Sequence, residues 1–210
     1  MQELKSILEK EADLPIILVG FSWGAWLSYI FAAEYPLLIK KLILIGSGPY
    51  EEKYVKHLME TRLNRLNENE QKEITALFKN LNDPATKDKN IPFQRLGSLF
   101  SKADSFDPLP HNPETIIARY DIYEAVSKQA KDLRASGKLL KLGKKIQCPV
   151  TAIHGDYDSH DPQGIKQPLS NTLPKFQLST ELSIYSYHSK DHIGIKLKAL
   201  AIELFLKRSY

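Results

Sequence analysis

The sequence predicts an α/β protein with about four parallel strands, flanking helices and an inserted all-helical segment. Strand-like apolar runs alternate with helical patterns near both ends of the chain, and the joints between them are short. The middle, residues 51–145, shows helical periodicity only. The composition, 42% hydrophobic and 26% charged over 210 residues, allows a buried core. We therefore expect an α/β core of residues 1–50 and 146–210, with residues 51–145 as a helical lid or cap.

The first fifty residues contain alternating helices and strands. The predicted elements are a helix at residues 2–12, a strand at 15–20, a helix at 23–34 and a strand at 42–45. The first strand is entirely apolar, which is typical of a strand buried on both faces. A strand, a helix and a second strand joined by short connections predict a parallel sheet.

The α/β pattern resumes after the helical segment. The predicted elements are a strand at residues 148–155, a helix at 164–173, a strand at 182–187 and a closing helix at 196–208. The inserted segment also carries aromatic residues that either line an apolar pocket or form the core of the lid. These are Tyr54, Phe78, Phe93, Phe100 and Tyr123.

Charge and cysteine content argue against several classes of protein. The net charge is +4, and the densest basic segment, residues 138–146, has leucines at helical spacing, which indicates a solvated helix face rather than a nucleic-acid site. The single cysteine, Cys148, excludes an internal disulfide and is interpreted as a buried core thiol. The charged N-terminus has no apolar segment of signal-peptide type, so we expect a cytoplasmic protein.

A membrane span is the alternative interpretation of residues 14–33, which carry no charge and are long enough to cross a bilayer. Pro15, Gly20 and Gly24 would interrupt a single helix in its first half. The aromatic residues also lie in the middle of the run rather than at its ends. We therefore expect no membrane association.

The pentapeptide at residues 20–24, Gly-Phe-Ser-Trp-Gly, fits the pattern G-x-S-x-G between a strand and a helix. A sharp turn there would push the hydroxyl of Ser22 clear of the sheet. Small residues at Gly20 and Gly24 would let the strand and the helix pass closely. The helix N-terminus supplies free N–H groups for a developing oxyanion, and the backbone N–H of Trp23 would be one of them. The pattern predicts that Ser22 is a nucleophile.

A nucleophilic serine needs a base and an acid that orients the base, and in this arrangement they follow in the order serine, acid, histidine. The strand at residues 148–155 leads to Asp158, with Asp156 as its rival. Two later histidines, His188 and His192, precede the closing helix. Both pairs of alternatives stay open on spacing alone.

A metal site is a competing interpretation of the segment around Asp158. His154, Asp156, Asp158 and His160 alternate, so they would share one face of a straight strand. Gly155 and the start of a loop disrupt that alternation. We therefore expect no metal ion, and His154 is expected to pack at the end of the strand.

These segments together resemble the α/β-hydrolase superfamily. The matching pieces are residues 17–36, residues 41–49, residues 148–160 and a C-terminal histidine followed by a helix. The resemblance implies that Asp158 is the acid of a catalytic triad. It implies that His192 is the base, since Phe205 follows it at the family's spacing, although Asp191 replaces the glycine that usually precedes this histidine. His188 fits less well. The resemblance implies a small or medium acyl substrate, such as a carboxylic ester, and no cofactor.

The position of Ser22 near the start of the chain is unusual for that superfamily. Its nucleophile follows the fifth of eight strands, whereas a single helix precedes residue 15 here. We therefore expect only the C-terminal half of the fold, without the loop that supplies a second oxyanion N–H. The first strand would then have an open edge, which is a liability unless the N-terminal helix, a second copy or a complementing N-terminal half covers it.

Three hypotheses follow from this organisation. The first is a serine hydrolase by descent with weak activity. The second is a non-catalytic protein that dimerises or binds a partner through its exposed sheet edge. The third is a longer enzyme whose coding sequence continues upstream of Met1 and whose activity returns when those residues are restored.

Overall fold

The computed structural model of the chain describes residues 1–106 and 118–181. The helices and strands are α1 (Gln2–Glu11), β1 (Ile16–Phe21), α2 (Trp23–Glu34), β2 (Ile39–Ile45), α3 (Leu58–Asn64), α4 (Glu68–Asn82), α5 (Asn90–Asp104), α6 (Tyr120–Ala135), α7 (Lys138–Leu142), β3 (Val150–Gly155), α8 (Gln163–Thr172) and β4 (Phe176–Glu181). Short 3-10 turns lie at Pro36–Leu38, Glu52–Tyr54 and Gly143–Lys145.

The four strands form one parallel sheet in the order β1-β2-β3-β4, which confirms the predicted α/β fold. Phe21 of β1 pairs with Ile45 of β2, and Ile45 pairs with Ile153 of β3. The carboxyl ends of the first three strands therefore lie side by side. Ligands of open parallel sheets bind at this end.

The structure has a fourth strand where the sequence interpretation assigned none. It lies at Phe176–Glu181, where Phe176 and Leu178 are half-buried and alternate with polar residues. Two apolar residues in such an alternation are a weak signal for a strand. The strand predicted at residues 182–187 and the predicted closing helix lie outside the described residues.

Strand β1 is not buried on both faces, so that expectation was wrong. Only Gly20 is buried in this strand, while Val19 is 49% and Phe21 is 44% exposed. The reason is that β1 pairs with β2 alone within the part of the chain that the structure describes. An apolar sequence therefore occupies an edge of the sheet.

The described residues form two principal apolar cores. The main core lies between the sheet and its helices and includes Tyr29, Phe31, Leu42, Leu44, Val150, Ile165 and Leu169. The second core lies among α3, α4 and α5 and includes Leu66, Ile74, Leu77, Leu81, Leu96 and Leu99. Residues Ala130 of α6 and Leu139 of α7 belong to the main core. The helices between β2 and β3 thus divide between both cores, and a separate lid of residues 51–145 stays a prediction.

Local signals explain where the second core begins. The side chain of Asn67 accepts a hydrogen bond from the Glu70 backbone N–H at 3.0 Å, and the Glu70 carboxylate accepts one from the Asn67 N–H at 3.1 Å. This capping box satisfies N–H groups that have no acceptor within the first turn of α4. It fixes the start of the helix that carries Ile74, Leu77 and Leu81.

The lengths of the helices bear on the alternative of a membrane span. No helix in the described ranges is long and apolar enough to cross a membrane.

Cys148 is half-buried against the main core, and burial raises the pKa of its thiol. A thiol with a raised pKa forms less thiolate at neutral pH, so Cys148 is a poor nucleophile.

Candidate active site

Ser22 occupies the turn between β1 and α2 with a backbone φ of 51° and ψ of −118°. It is the non-glycine residue with positive φ among those that the structure describes. A conformation of this kind costs on the order of 1–3 kcal/mol and persists only when the surroundings hold it. The Ser22 N–H donates to the Ile45 carbonyl at 2.8 Å, and the Ser22 carbonyl accepts from the Ala25 N–H at 3.0 Å. Neighbouring backbone therefore holds Ser22 in a strained turn.

The two glycines that flank Ser22 have different roles. A Cβ atom on Gly20 would overlap the Gly24 carbonyl oxygen, the Ser28 Oγ and the Ala25 Cα. A Cβ atom on Gly24 would meet no atom within 4 Å. The close approach of strand and helix therefore requires a glycine at position 20 only, and the expectation that both positions need a small residue was wrong for Gly24.

Trp23 is the first residue of α2. The N–H of a residue at this position has no acceptor within its own helix. Trp23 directly follows Ser22, which is the position expected for the residue whose N–H binds the oxyanion. That role stays a prediction.

Asp158 lies in the turn that follows β3. Its N–H donates to the Gly155 carbonyl at 3.2 Å, which closes the turn. Its Oδ1 accepts the His160 N–H at 2.9 Å and lies 2.9 Å from the Nδ1 of the same histidine. An aspartate that binds the backbone two residues ahead stabilises such a loop. The rival Asp156 is exposed.

The surroundings of Asp158 keep it ionised. Burial has the largest single effect and raises the pKa of the Asp158 carboxyl, but the hydrogen bonds from the His160 side chain and backbone outweigh it together with the electrostatic attraction of His160 and His154. The net result is a pKa below the usual range for aspartate. A carboxylate that is charged at neutral pH can stabilise a cationic histidine.

His154 lies behind Asp158 and is 1% exposed. Its Nε2 is 3.0 Å from the His160 carbonyl oxygen, and its Nδ1 is 3.9 Å from the Asp158 Oδ2. The described residues contain no group of three or more His, Cys, Asp or Glu side chains placed to hold a metal ion. His154 is the penultimate residue of β3 and is buried, so it packs at the end of that strand, as the sequence indicated.

Ser22 and Asp158 line the same cavity, which has a volume of about 300 Å³. The carboxyl end of the sheet contributes Phe21, Ser22, Gly46 and Asp158. The helices between β2 and β3 contribute Arg62, Phe100, Ser101 and Asp104. Gly46 has a φ of +53°, and a Cβ atom there would lie 3.4 Å from the Asp158 Oδ2. The glycine thus allows the carboxylate to lie close to the end of β2.

The aromatic lining of the cavity differs from the candidates in the sequence. Of the five predicted residues, Phe100 lines the cavity, while Phe78 and Phe93 pack against the second core. Phe21 and Tyr157 also line it, although the sequence interpretation gave them no role. Their positions, directly before Ser22 and directly before Asp158, are the signal that could have revealed them.

The two candidate bases, His188 and His192, lie outside the described residues, so the choice between them stays open. Among the described residues, the histidine within hydrogen-bond distance of Asp158 is His160, which the sequence suggested only as a metal ligand. Its place two residues after the acid, in a loop that bends back, explains the contact.

A parallel sheet with a strained serine at a strand-to-helix turn and an ionised aspartate at a neighbouring strand end defines a class of hydrolase-like proteins. The chain belongs to the α/β hydrolase fold family, whose model matches residues 4–186. A comparison with curated proteins finds no significant match.

Several solved structures share this fold at low sequence identity. VinJ superposes with a TM-score of 0.61 and 15% identity over 98% of this chain and 70% of its own. The proline iminopeptidase of Mycobacterium smegmatis superposes with a TM-score of 0.61 and 13% identity. The match covers 98% of this chain and 69% of the peptidase. A carboxylesterase structure from the thaumarchaeon Nitrososphaera gargenis has a TM-score of 0.50 and 17% identity. The match covers 98% of this chain and 68% of the carboxylesterase. At such identities the likeness shows the fold alone.

Proposed function

We propose that the protein is a serine hydrolase that acts on small or medium carboxylic esters or related acyl compounds. The observation that carries the proposal is that Ser22, with its strained backbone φ, lines the same cavity as the ionised Asp158. The substrate class follows from the cavity, because about 300 Å³ between Phe21 and Phe100 suits a compact apolar acyl group. The similar structures include a peptidase and a carboxylesterase, so the fold does not select the substrate.

The proposed reaction has two steps. Ser22 Oγ attacks the acyl carbon while His192 takes its proton, and the alcohol then leaves with that proton to give an acyl-enzyme. His192 next deprotonates a water molecule, which attacks the acyl carbon. As the bond to Ser22 breaks and the acid leaves, His192 returns this proton to the Ser22 Oγ. Asp158 orients the imidazole and stabilises its cation, and the Trp23 N–H binds the oxyanion. Because Asp158 Oδ1 binds His160, Oδ2 is the oxygen assigned to the triad histidine.

A reagent that reports the nucleophile directly is a better first assay than turnover, because the cavity alone does not identify the substrate.

Labelling with a fluorophosphonate probe tests the nucleophile. We expect the wild-type chain to be labelled and Ser22→Ala to lose all labelling, because the probe phosphonylates only an activated hydroxyl. Ser101→Ala is the matched control, since Ser101 lines the same cavity and should leave labelling unchanged. A folded wild-type chain that is not labelled would contradict the proposal.

The same labelling assay separates the two candidate bases. We expect His192→Ala to lose labelling and His188→Ala to keep it. Loss of labelling in the His188 variant alone would transfer the role of base to His188.

A second candidate function is a binding module that uses the exposed edge of β1. The observation that favours it is the exposure of Val19 and Phe21 on a strand that has one neighbour in the described region. Such an edge can pair with a strand of a second copy or of a complementing N-terminal half.

Sedimentation of the purified chain tests the edge. We expect a concentration-dependent dimer, and Val19→Lys should shift the chain toward the monomer because a charge at the edge opposes pairing. Ile91→Lys is the control, because Ile91 is an exposed apolar residue on the helix α5 rather than on a strand. A strict monomer at all concentrations would contradict homodimerisation.

A further inference from the structure

Arg65, at the end of α3, binds the loop that carries Asp158. Its Nη1 donates to the Tyr157 carbonyl at 3.0 Å and to the Ser159 Oγ at 2.8 Å, so it contacts the residues on both sides of the acid. The centre of its guanidinium lies 3.8 Å from the centroid of the Tyr157 ring. A planar guanidinium can donate several hydrogen bonds and stack on a ring at the same time, which an ammonium cannot do equally well.

The same arginine also binds the helical segment. Its Nη1 donates to the Ala103 carbonyl of α5 at 3.2 Å. The next residue, Asp104, accepts a hydrogen bond from the buried Ser159 Oγ at 2.6 Å. The loop after β3 is therefore tied to α3 and α5 through both neighbours of Asp158.

Asp104 is itself held in place by Arg62. The Arg62 Nε lies 2.9 Å from Oδ1 and its Nη2 lies 2.6 Å from Oδ2, a two-point contact with defined geometry. The Arg62 guanidinium also lies 4.6 Å from the Phe100 ring. Arg62 and Asp104 thus form an ion pair, whereas the oxygen atoms of the loop that accept from Arg65 are neutral.

We propose that Arg65 is a positioning residue for the triad acid. By holding the Tyr157 carbonyl and the Ser159 hydroxyl, it fixes the backbone on which the Asp158 carboxylate is oriented. Through Ala103 it couples that orientation to α5, which forms a wall of the cavity. The proposal rests on the proposed function in so far as Asp158 serves as the triad acid.

The test compares Arg65→Met, which keeps most of the apolar stem and removes the donors, with Arg65→Lys, which keeps the charge and one donor group. Arg95→Met is the matched control, since Arg95 forms an exposed ion pair with Glu73 on the neighbouring helices. We expect the fluorophosphonate labelling rate of Arg65→Met to fall by up to about 100-fold, the scale of a small misplacement of a catalytic group. Arg65→Lys should recover part of the rate, and Arg95→Met should equal wild type.

Hydrolysis of p-nitrophenyl butyrate gives a second readout. A misplaced acid should lower kcat and leave KM nearly unchanged, because the acid acts on the transition state. An equal loss in Arg95→Met, or a rise in KM alone for Arg65→Met, would overturn the positioning role.

Hydrogen exchange of the backbone amides supplies a readout that does not depend on activity. We expect faster exchange at residues 156–160 in Arg65→Met, with unchanged exchange in α2 and β2. Unchanged exchange at residues 156–160 would overturn the proposal. A wild-type chain that is never labelled would instead sink the proposed function, while the exchange data would still decide whether Arg65 holds the loop.

Discussion

Replacement of Asp158 by asparagine is expected to lower hydrolysis and fluorophosphonate labelling by about 10,000-fold. The amide cannot stabilise a cationic imidazole, and it favours the wrong tautomer of the base. The structure supports so large an effect because Asp158 lies in the cavity of Ser22, and its pKa is held below the usual range. The measurement is the rate of labelling at saturating probe.

Asp156→Asn is the matched control for this prediction. Asp156 is two residues away and exposed, so its replacement should leave the labelling rate unchanged. Equal losses in the two variants, or a loss confined to Asp156→Asn, would contradict the proposed role of Asp158 as the triad acid.

The role of Asp158 as the triad acid also predicts how labelling changes with pH. A carboxylate whose pKa is lowered in the folded state contributes stability above its unfolded pKa, and this contribution is lost as pH falls through the folded pKa. Because the pKa of Asp158 lies below the usual aspartate range, Asp158 stays charged throughout the pH range in which histidines ordinarily titrate. The acidic limb of the labelling profile should report the histidine, with full reactivity above it.

Replacement of Gly20 by alanine should produce the largest loss of stability. A methyl group there would overlap backbone atoms of Gly24 and Ala25, which cannot rotate away. Overpacking typically costs 1–3 kcal/mol, and we expect about 3 kcal/mol or more here because backbone must move. For a chain of this size that lowers Tm by roughly 6–12 °C. Thermal unfolding followed by circular dichroism measures the shift.

Gly24→Ala is the control, two residues after the serine. Its methyl group would meet no atom within 4 Å, and alanine is the better helix former by about 1 kcal/mol. We therefore expect an unchanged or slightly raised Tm. A Gly24 variant that melts lower than the Gly20 variant would contradict the asymmetry between the two glycines.

The fold was largely predictable because its signals are local. Helix α2 has the bounds that the apolar pattern and Pro36 predicted, and β1 and β3 shift by two residues or fewer. Strand β4 was missed because its alternation is short. The prediction that β1 is buried on both faces was wrong because an apolar sequence shows only that a strand favours burial. Its actual exposure depends on which strands and helices pack beside it.

The site was predictable only where chemistry follows a motif. Ser22 and Asp158 follow strand ends, so parallel strands bring them to one edge. The roles of Arg62 and Arg65 depend on contacts with residues about 40 to 90 positions away in the chain. No periodicity in the sequence records such contacts, since a polar residue on a helix is usually solvated.

The cavity is built from two segments with different tasks. The sheet supplies Ser22 and Asp158, the proposed catalytic residues, while α3 and α5 supply the opposite wall with Arg62, Phe100 and Asp104. Selectivity can therefore diverge by exchange of these helices without a change in the chemistry. Because Arg65 and Asp104 also bind the Asp158 loop, a transplanted helical segment would need to bring both residues, or the recipient would have a new specificity and a misplaced acid.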